Sequence, residues 1–310
     1  MDNIKNVLIL GGSGFIGSAL VNHLIKNGSR IRILVRKQYP VELVKNVELI
    51  KGDITNFDWR SLNDDPPETI FHLARISGVN RPSRFVAGLS GYLANRKLIR
   101  WVYTLKKPPL LIYTSGSLVY GSVGTNTIDE DAPLNPISFQ KSYILAEKPI
   151  LKALKNNLIP VSIVRPPWVY GPGSWFKQFY YDLISNHDFV PQYGGGENLM
   201  TLIHVDDCAL QMIMIAQNKQ TGVVCNLVSG IAIRHEQFCK ILSKLTNKKI
   251  KIIQNTEILK KYGKTVYEAL TFSSELRSKH SLIQNYKGVY NHNHSVGLTQ
   301  VLNELKKNEK

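Results

Sequence analysis

The chain is short of three things, and each shortage excludes a class of function. Among its 310 residues are only three cysteines, Cys208, Cys225 and Cys239. They are far apart and odd in number, which leaves no CxxC metal pair and no disulfide framework. No metal is expected, and the thiols read as small buried hydrophobes in a reducing, cytoplasmic setting. No run of about 18 apolar residues occurs, so no membrane span is expected. The opening MDNIKNVLIL passes from polar residues straight into an apolar run, with no basic region and no cleavage site, and reads as a first strand and not a signal peptide.

Acid is the third shortage. Asp and Glu number 23 against 39 Lys and Arg, a net charge of +16. Residues 75–107 hold Arg75, Arg81, Arg84, Arg96, Lys97, Arg100, Lys106 and Lys107 and no acid; residues 240–310 carry 14 Lys or Arg against five Glu. Such a charge steers anions toward the protein without saying which anion. Much of it reads as solvated helix faces.

Short apolar runs alternate with helical patterns through the first 165 residues. Strands are expected at 5–10, 31–35, 46–50, 69–73, 109–114 and 160–165, and helices at 15–27, 84–106 and 138–156. Strand–helix–strand alternation implies a parallel sheet covered on both faces. After Arg165 the texture changes: Pro166-Pro167, Gly171-Pro172-Gly173 and Gly194-Gly195-Gly196 break the chain into turns. The expected division is a first domain over 1–171, rejoined by 201–228, and a smaller mixed lobe over 172–200 and 229–310.

Strand 5–10 runs into Gly11-Gly12-Ser13-Gly14-Phe15-Ile16-Gly17 and then an amphipathic pattern. The glycines permit a tight turn and close approach of a pyrophosphate, and the helix start offers free N–H groups. A glycine pattern after a strand, opening a helix, is the context a dinucleotide site requires. The fold class is therefore α/β, a Rossmann-type doubly wound parallel sheet with a smaller mixed α/β C-terminal substrate lobe.

The GxxGxxG spacing with Phe15-Ile16 resembles the extended short-chain dehydrogenase/reductase family of the NAD-dependent epimerase/dehydratase type. Further landmarks recur in family order: Gly52-Asp53-Ile54, Phe71-His72-Leu73-Ala74, Asn95, Ser115 to Gly121, Arg165 to Gly173, and Ile203-His204-Val205-Asp206-Asp207. The resemblance implies that Gly11, Gly12, Ser13, Gly14, Phe15, Ile16, Asp53, Ile54, Leu73, Ala74, Tyr143 and Pro166 contact the cofactor. NAD-users of the family place an acid at the end of the second strand. Here Val35 is followed by Arg36 and Lys37, and Arg36 can grip a 2′-phosphate, so NADP(H) is favoured over NAD(H).

The family's chemistry rests on a Tyr-x-x-x-Lys pair and a Ser or Thr on the fifth strand. The matching segment reads Ser138-Phe139-Gln140-Lys141-Ser142-Tyr143-Ile144-Leu145-Ala146-Glu147, and Ser142 and Glu147 fix its register. Phe139 then stands at the tyrosine position, Tyr143 at the lysine position, and Gly116 at the Ser/Thr position. Phenylalanine cannot move a proton. The remaining proton donors are Tyr143, Ser115 and Ser117, and Tyr143 without a neighbouring lysine is a poor base at neutral pH.

Met200 and Thr201 stand where nucleotide-sugar relatives carry an arginine and an aspartate, which argues for another small-molecule substrate. Trp168 and Tyr170 belong to an aromatic run expected to line a partly apolar pocket. Arg75 and Arg81 suggest an anionic group on the ligand. The expected activity is carbonyl reduction with an atypical proton donor, or non-redox chemistry. The alternatives are a non-catalytic dinucleotide-binding regulator or assembly factor, a nucleotide-sugar epimerase/dehydratase, and an RNA-binding relative. No stacking-aromatic RNA motif occurs, so nucleic acid is not the expected partner. A homodimer stays open.

Overall fold

The computed structural model describes residues 4–36, 47–290 and 293–309, with the main chain alone for Phe139. The chain forms two compact units. The first comprises Met1–Val119, Phe139–Arg165 and Ala209–Cys225, and the second Tyr120–Ser138, Pro166–Cys208 and Asn226–Lys310.

The first unit is built from β1 (Asn6–Leu10), α1 (Phe15–Lys26), β2 (Arg30–Val35), β3 (Val47–Lys51), β4 (Thr69–His72), α2 (Arg81–Thr104), β5 (Leu110–Thr114), α3 (Lys141–Lys155) and β6 (Val161–Arg165). It is completed by the later part of α4 (Val205–Gln217) and by β7 (Val224–Asn226), whose last residue belongs to the second unit. The sheet order is β7-β6-β5-β4-β1-β2-β3. The pairs β1–β2, β1–β4, β2–β3, β4–β5 and β5–β6 are parallel. Val7, Leu8, Ile9 and Leu10 are all buried, because a parallel strand covered on both faces needs a continuous apolar run. The chain order reverses at β1, which has β4 on one side and β2 on the other. That reversal opens a crevice at the carboxyl ends of the strands, where such sheets bind ligands.

Two helix starts differ from the sequence pattern for local reasons. Helix α2 begins at Arg81 because Asn80 and Ser83 form a reciprocal capping box, with a proline in the first turn. Helix α3 begins at Lys141 because Ser138–Gln140 forms a separate 3-10 turn. Helices α2 and α3 approach closely. A Cβ on Gly88 would lie 2.4 Å from the Ser142 carbonyl oxygen, and one on Gly91 would lie 2.8 Å from Ala146 Cβ.

The second unit is held by a cluster that includes Tyr170, Phe176, Tyr180, Tyr193, Phe238 and Leu298. Its strands are short. Trp168–Tyr170 pairs parallel with Leu202–His204, Phe189–Tyr193 with Lys249–Ile253, and Thr127–Ile128 with Glu275–Leu276. The last pairing moves 120–138 out of the expected first domain. The Glu130 carboxylate reinforces it, accepting from the Asn226 N–H (2.8 Å), the Ser278 hydroxyl (2.5 Å) and the Lys279 N–H (2.8 Å).

Candidate dinucleotide site

The glycine loop lies at the reversal point of the first unit's sheet. Gly11 has φ +89°, and a Cβ there would lie 2.7 Å from Ala74 N and 2.9 Å from Leu73 C. Only glycine lets the loop close on the end of β4 in this way. A Cβ on Gly17 would come within 2.2 Å of the Gly11 carbonyl oxygen, so the first turn of α1 is equally tight. The N-cap of α1 is Gly14, with no side-chain cap and no acid in the first turn. The N–H groups and dipole of this helix start suit an anion. Ser13 and Gly14 are exposed, while Phe15 and Ile16 are half-buried.

Arg36, at the end of β2, is 75% exposed, and its Nε lies 3.8 Å from Asp53 Oδ2. Asp53 is fixed by the Thr55 N–H (2.9 Å) and hydroxyl (2.7 Å). Burial alone would raise its carboxyl, but these two bonds and Arg36 hold it below the ordinary carboxylate range. Lys37 lies outside the described residues.

Between the ends of β4 and β5 and the face of α3 lies a cavity of about 50 Å³, bordered by Ile54, Ala74, Arg75, Ser115, Gln140 and Tyr143 among others. A polar chain behind it fixes α3. Asn95 donates its Nδ2–H to the Ala146 carbonyl (2.8 Å), which leaves its Oδ1 to accept from His72 Nε2 (2.8 Å). His72 is therefore the Nε2–H tautomer. Burial pushes it down to about 4, so it is neutral at pH 7. Glu147 and Arg165 form a buried ion pair at 3.1 Å, 2% and 3% exposed. The Ser115 hydroxyl donates to the other Glu147 oxygen at 2.5 Å.

These contacts place the expected site residues. Ser115 borders the cavity with its proton committed to Glu147. Ser117 is buried in a 3-10 turn and does not border it. Tyr143 does border it, and the Arg75 guanidinium lies over its ring, 4.4 Å from the centroid. Arg81 is exposed at the start of α2 and is not among the bordering residues. The side chain of Phe139 is not described. The sequence reading passed over His72, Asn95, Glu147 and Arg165 as working parts; the family landmarks contained all four but gave no sign of their pairing.

In the second unit, Tyr170 is corrected from a pocket wall to a core residue. It is 1% exposed, and a Cβ on Gly297 would lie 2.2 Å from its hydroxyl oxygen. Trp168 is half-buried and meets Trp175 edge to face at 4.7 Å. Pro166 is buried. Met200 and Thr201 are buried, and the Thr201 hydroxyl accepts from the Leu276 N–H at 2.8 Å. Asp207 of the IHVDD segment is a fastener: it accepts from the Tyr286 hydroxyl (3.0 Å) and from the Val289 (3.1 Å) and Tyr290 (3.2 Å) N–H groups.

A tight glycine loop at the reversal point of a parallel sheet, opening an uncapped helix, defines a Rossmann-type α/β protein. The chain belongs to the NAD dependent epimerase/dehydratase family, whose model matches residues 7–227. It is 27% identical over 273 residues to a UDP-N-acetyl-alpha-D-glucosaminuronate decarboxylase of Bacillus cytotoxicus, covering 80% of this chain and 83% of that one. It is also 27% identical over 230 residues to an uncharacterized protein of Sinorhizobium fredii. That match covers 70% of this chain and spans 54% of the relative's length. Among solved structures, the dTDP-glucose 4,6-dehydratase of Bacillus anthracis in complex with NAD aligns with TM-score 0.79 at 20% identity, covering 98% of this chain and 97% of that one. At that identity the likeness speaks to the fold. No helix among the described residues is long and apolar enough to cross a membrane, and among them no cluster of three or more His, Cys, Asp or Glu is placed to hold a metal ion.

Proposed function

We propose that the first unit binds NADP(H) and that the protein reduces a carbonyl of a small molecule, with Tyr143 as the proton donor. The observation that carries this reading is the cavity: Tyr143 borders it together with Ala74, the residue against which the glycine loop closes. Ser115 is set aside as donor because its proton is held by Glu147. The preference for NADP(H) follows from Arg36, an exposed guanidinium where an NAD-user needs an acid. When bound in its reduced form, the dinucleotide would supply a hydride to the carbonyl carbon, and Tyr143 the proton to its oxygen. The chain's own part is to bind the pyrophosphate at the start of α1, to hold α3 through the His72–Asn95–Ala146 chain, and to present the Tyr143 hydroxyl.

Two observations bear on the substrate. Met200 and Thr201 are buried, so the usual diphosphate-binding positions offer no guanidinium, which supports a substrate other than a nucleotide sugar. The named activity of the Bacillus cytotoxicus relative favours a second reading, in which the substrate is a UDP- or dTDP-sugar. We further propose a homodimer through α2, whose Phe85, Val86, Leu89 and Leu93 are 63, 61, 44 and 48% exposed.

The test is turnover of a ketone and nucleotide-sugar panel followed through NADPH absorbance. Tyr143→Phe is expected to lower the rate on any accepted substrate at least ~100-fold, with cofactor affinity nearly unchanged. Full turnover in Tyr143→Phe would contradict the assignment of the donor.

A further inference from the structure

The missing lysine leaves the site without its usual cation, yet the cavity is not without charge. Its described lining residues include one arginine, Arg75, and one acid, Glu147, while burial keeps His72 neutral at pH 7. Glu147 is neutralised by Arg165. Arg75 is exposed, and among the described residues no carboxylate lies within ion-pair distance of it. Its guanidinium rests on the Tyr143 ring. Such an exposed cation–π contact is worth only about two- to fivefold in an equilibrium, enough to park the side chain and too little to lock it. Lys141, the nearest lysine in sequence, is exposed at the first position of α3 and does not border the cavity.

The sheet order decides which part of a ligand Arg75 meets. β2 and β4 flank β1 on opposite sides, so Arg36 and Arg75 leave the sheet on opposite sides of the glycine loop. A dinucleotide whose pyrophosphate lies on that loop places one half toward each arginine. Arg36 faces the adenosine half if it grips a 2′-phosphate, and Arg75 then faces the nicotinamide half.

We propose that Arg75 is this chain's replacement for the missing lysine: it brings positive charge to Tyr143 from the end of β4 and binds the nicotinamide half of the cofactor. The cation has moved from the helix to the strand end, and the ring of Tyr143 is its seat. In this chain Arg75 is a binding and positioning residue, and Tyr143 keeps the role of proton donor. The assignment rests on the dinucleotide reading above.

The experiment measures equilibrium binding of NADPH and of 2′,5′-ADP, which carries the adenosine half alone, to wild type, Arg75→Met, Arg75→Lys, Tyr143→Ala and the Arg75→Met/Tyr143→Ala double variant. Arg75→Met is expected to weaken NADPH about ten- to a hundredfold, the range of one charge-assisted contact, and to leave 2′,5′-ADP unchanged. Arg75→Lys should recover part of the loss. Tyr143→Ala should weaken NADPH by less, and the double variant should be no weaker than Arg75→Met, because the two residues act as one unit. If Arg75→Met binds NADPH as well as wild type or better, the guanidinium is a bystander or obstructs the narrow cavity, and the proposal falls while the dinucleotide reading stands. If wild type binds neither compound, both fall together.

Discussion

At the scale of single residues the site is organised by one buried ion pair. Glu147 and Arg165 are taken out of water together, and Ser115 occupies the remaining carboxylate oxygen. Removing one partner strands the other charge, which costs about 3–5 kcal/mol in a dry site. Arg165→Met is therefore expected to lower the free energy of unfolding in urea by about that amount. A loss below ~1 kcal/mol would show that water reaches the pair. The sequence offered Glu147 only as a register mark, since its partner lies in another element 18 positions away. Arg75 was legible as an arginine near the cleft. Its seat on Tyr143 was not, because that contact exists only once β4 and α3 are packed together.

At the scale of elements, the strands of the first unit were legible to within one or two residues, because most of them are short, largely apolar runs between turns, as Val7–Leu10 is. The second unit was less so. Its pairings join segments of two to five residues far apart in sequence, Thr127–Ile128 with Glu275–Leu276 being the shortest of those named, and no periodicity marks them. Helix α2 shows both sides of this limit. Its length was evident, but its start depended on the Asn80 cap, and its exposed apolar row needed the fold to be seen. Burying that row against a second copy gives the dimer proposed above. Sedimentation equilibrium is expected to find a dimer for wild type and a monomer for Phe85→Glu/Leu89→Glu, with each chain still folded. A wild-type monomer at high micromolar concentration would refute this.

For the whole molecule, buried histidines contribute to the response to acid. His72 and His235 are both pushed down to about 4 by burial, and His204 is lowered as well. The unfolded chain takes up the His72 and His235 protons near pH 6.5 and the folded chain does so only near pH 4, so the unfolded state binds more protons in between. Stability is complete above the unfolded value and is lost as pH falls through that window. His72 alone contributes ~3 kcal/mol across it, about 2 kcal/mol of which is lost by pH 5. Thermal unfolding is expected to occur well below its pH 7.5 midpoint at pH 5. A midpoint unchanged between the two would mean that water reaches these rings.

Two properties of the first unit are central: its glycine loop holds a dinucleotide, as proposed above, and Arg36 chooses which one. Calorimetric titration of wild type and Arg36→Asp with NADPH and NADH tests both at once. NADPH is expected to bind wild type about ten- to a hundredfold more tightly than NADH, the range of one charge-assisted phosphate contact, and Arg36→Asp should reverse the order. Equal affinity for the two would remove the role given to Arg36, and binding of neither would contradict the dinucleotide site itself.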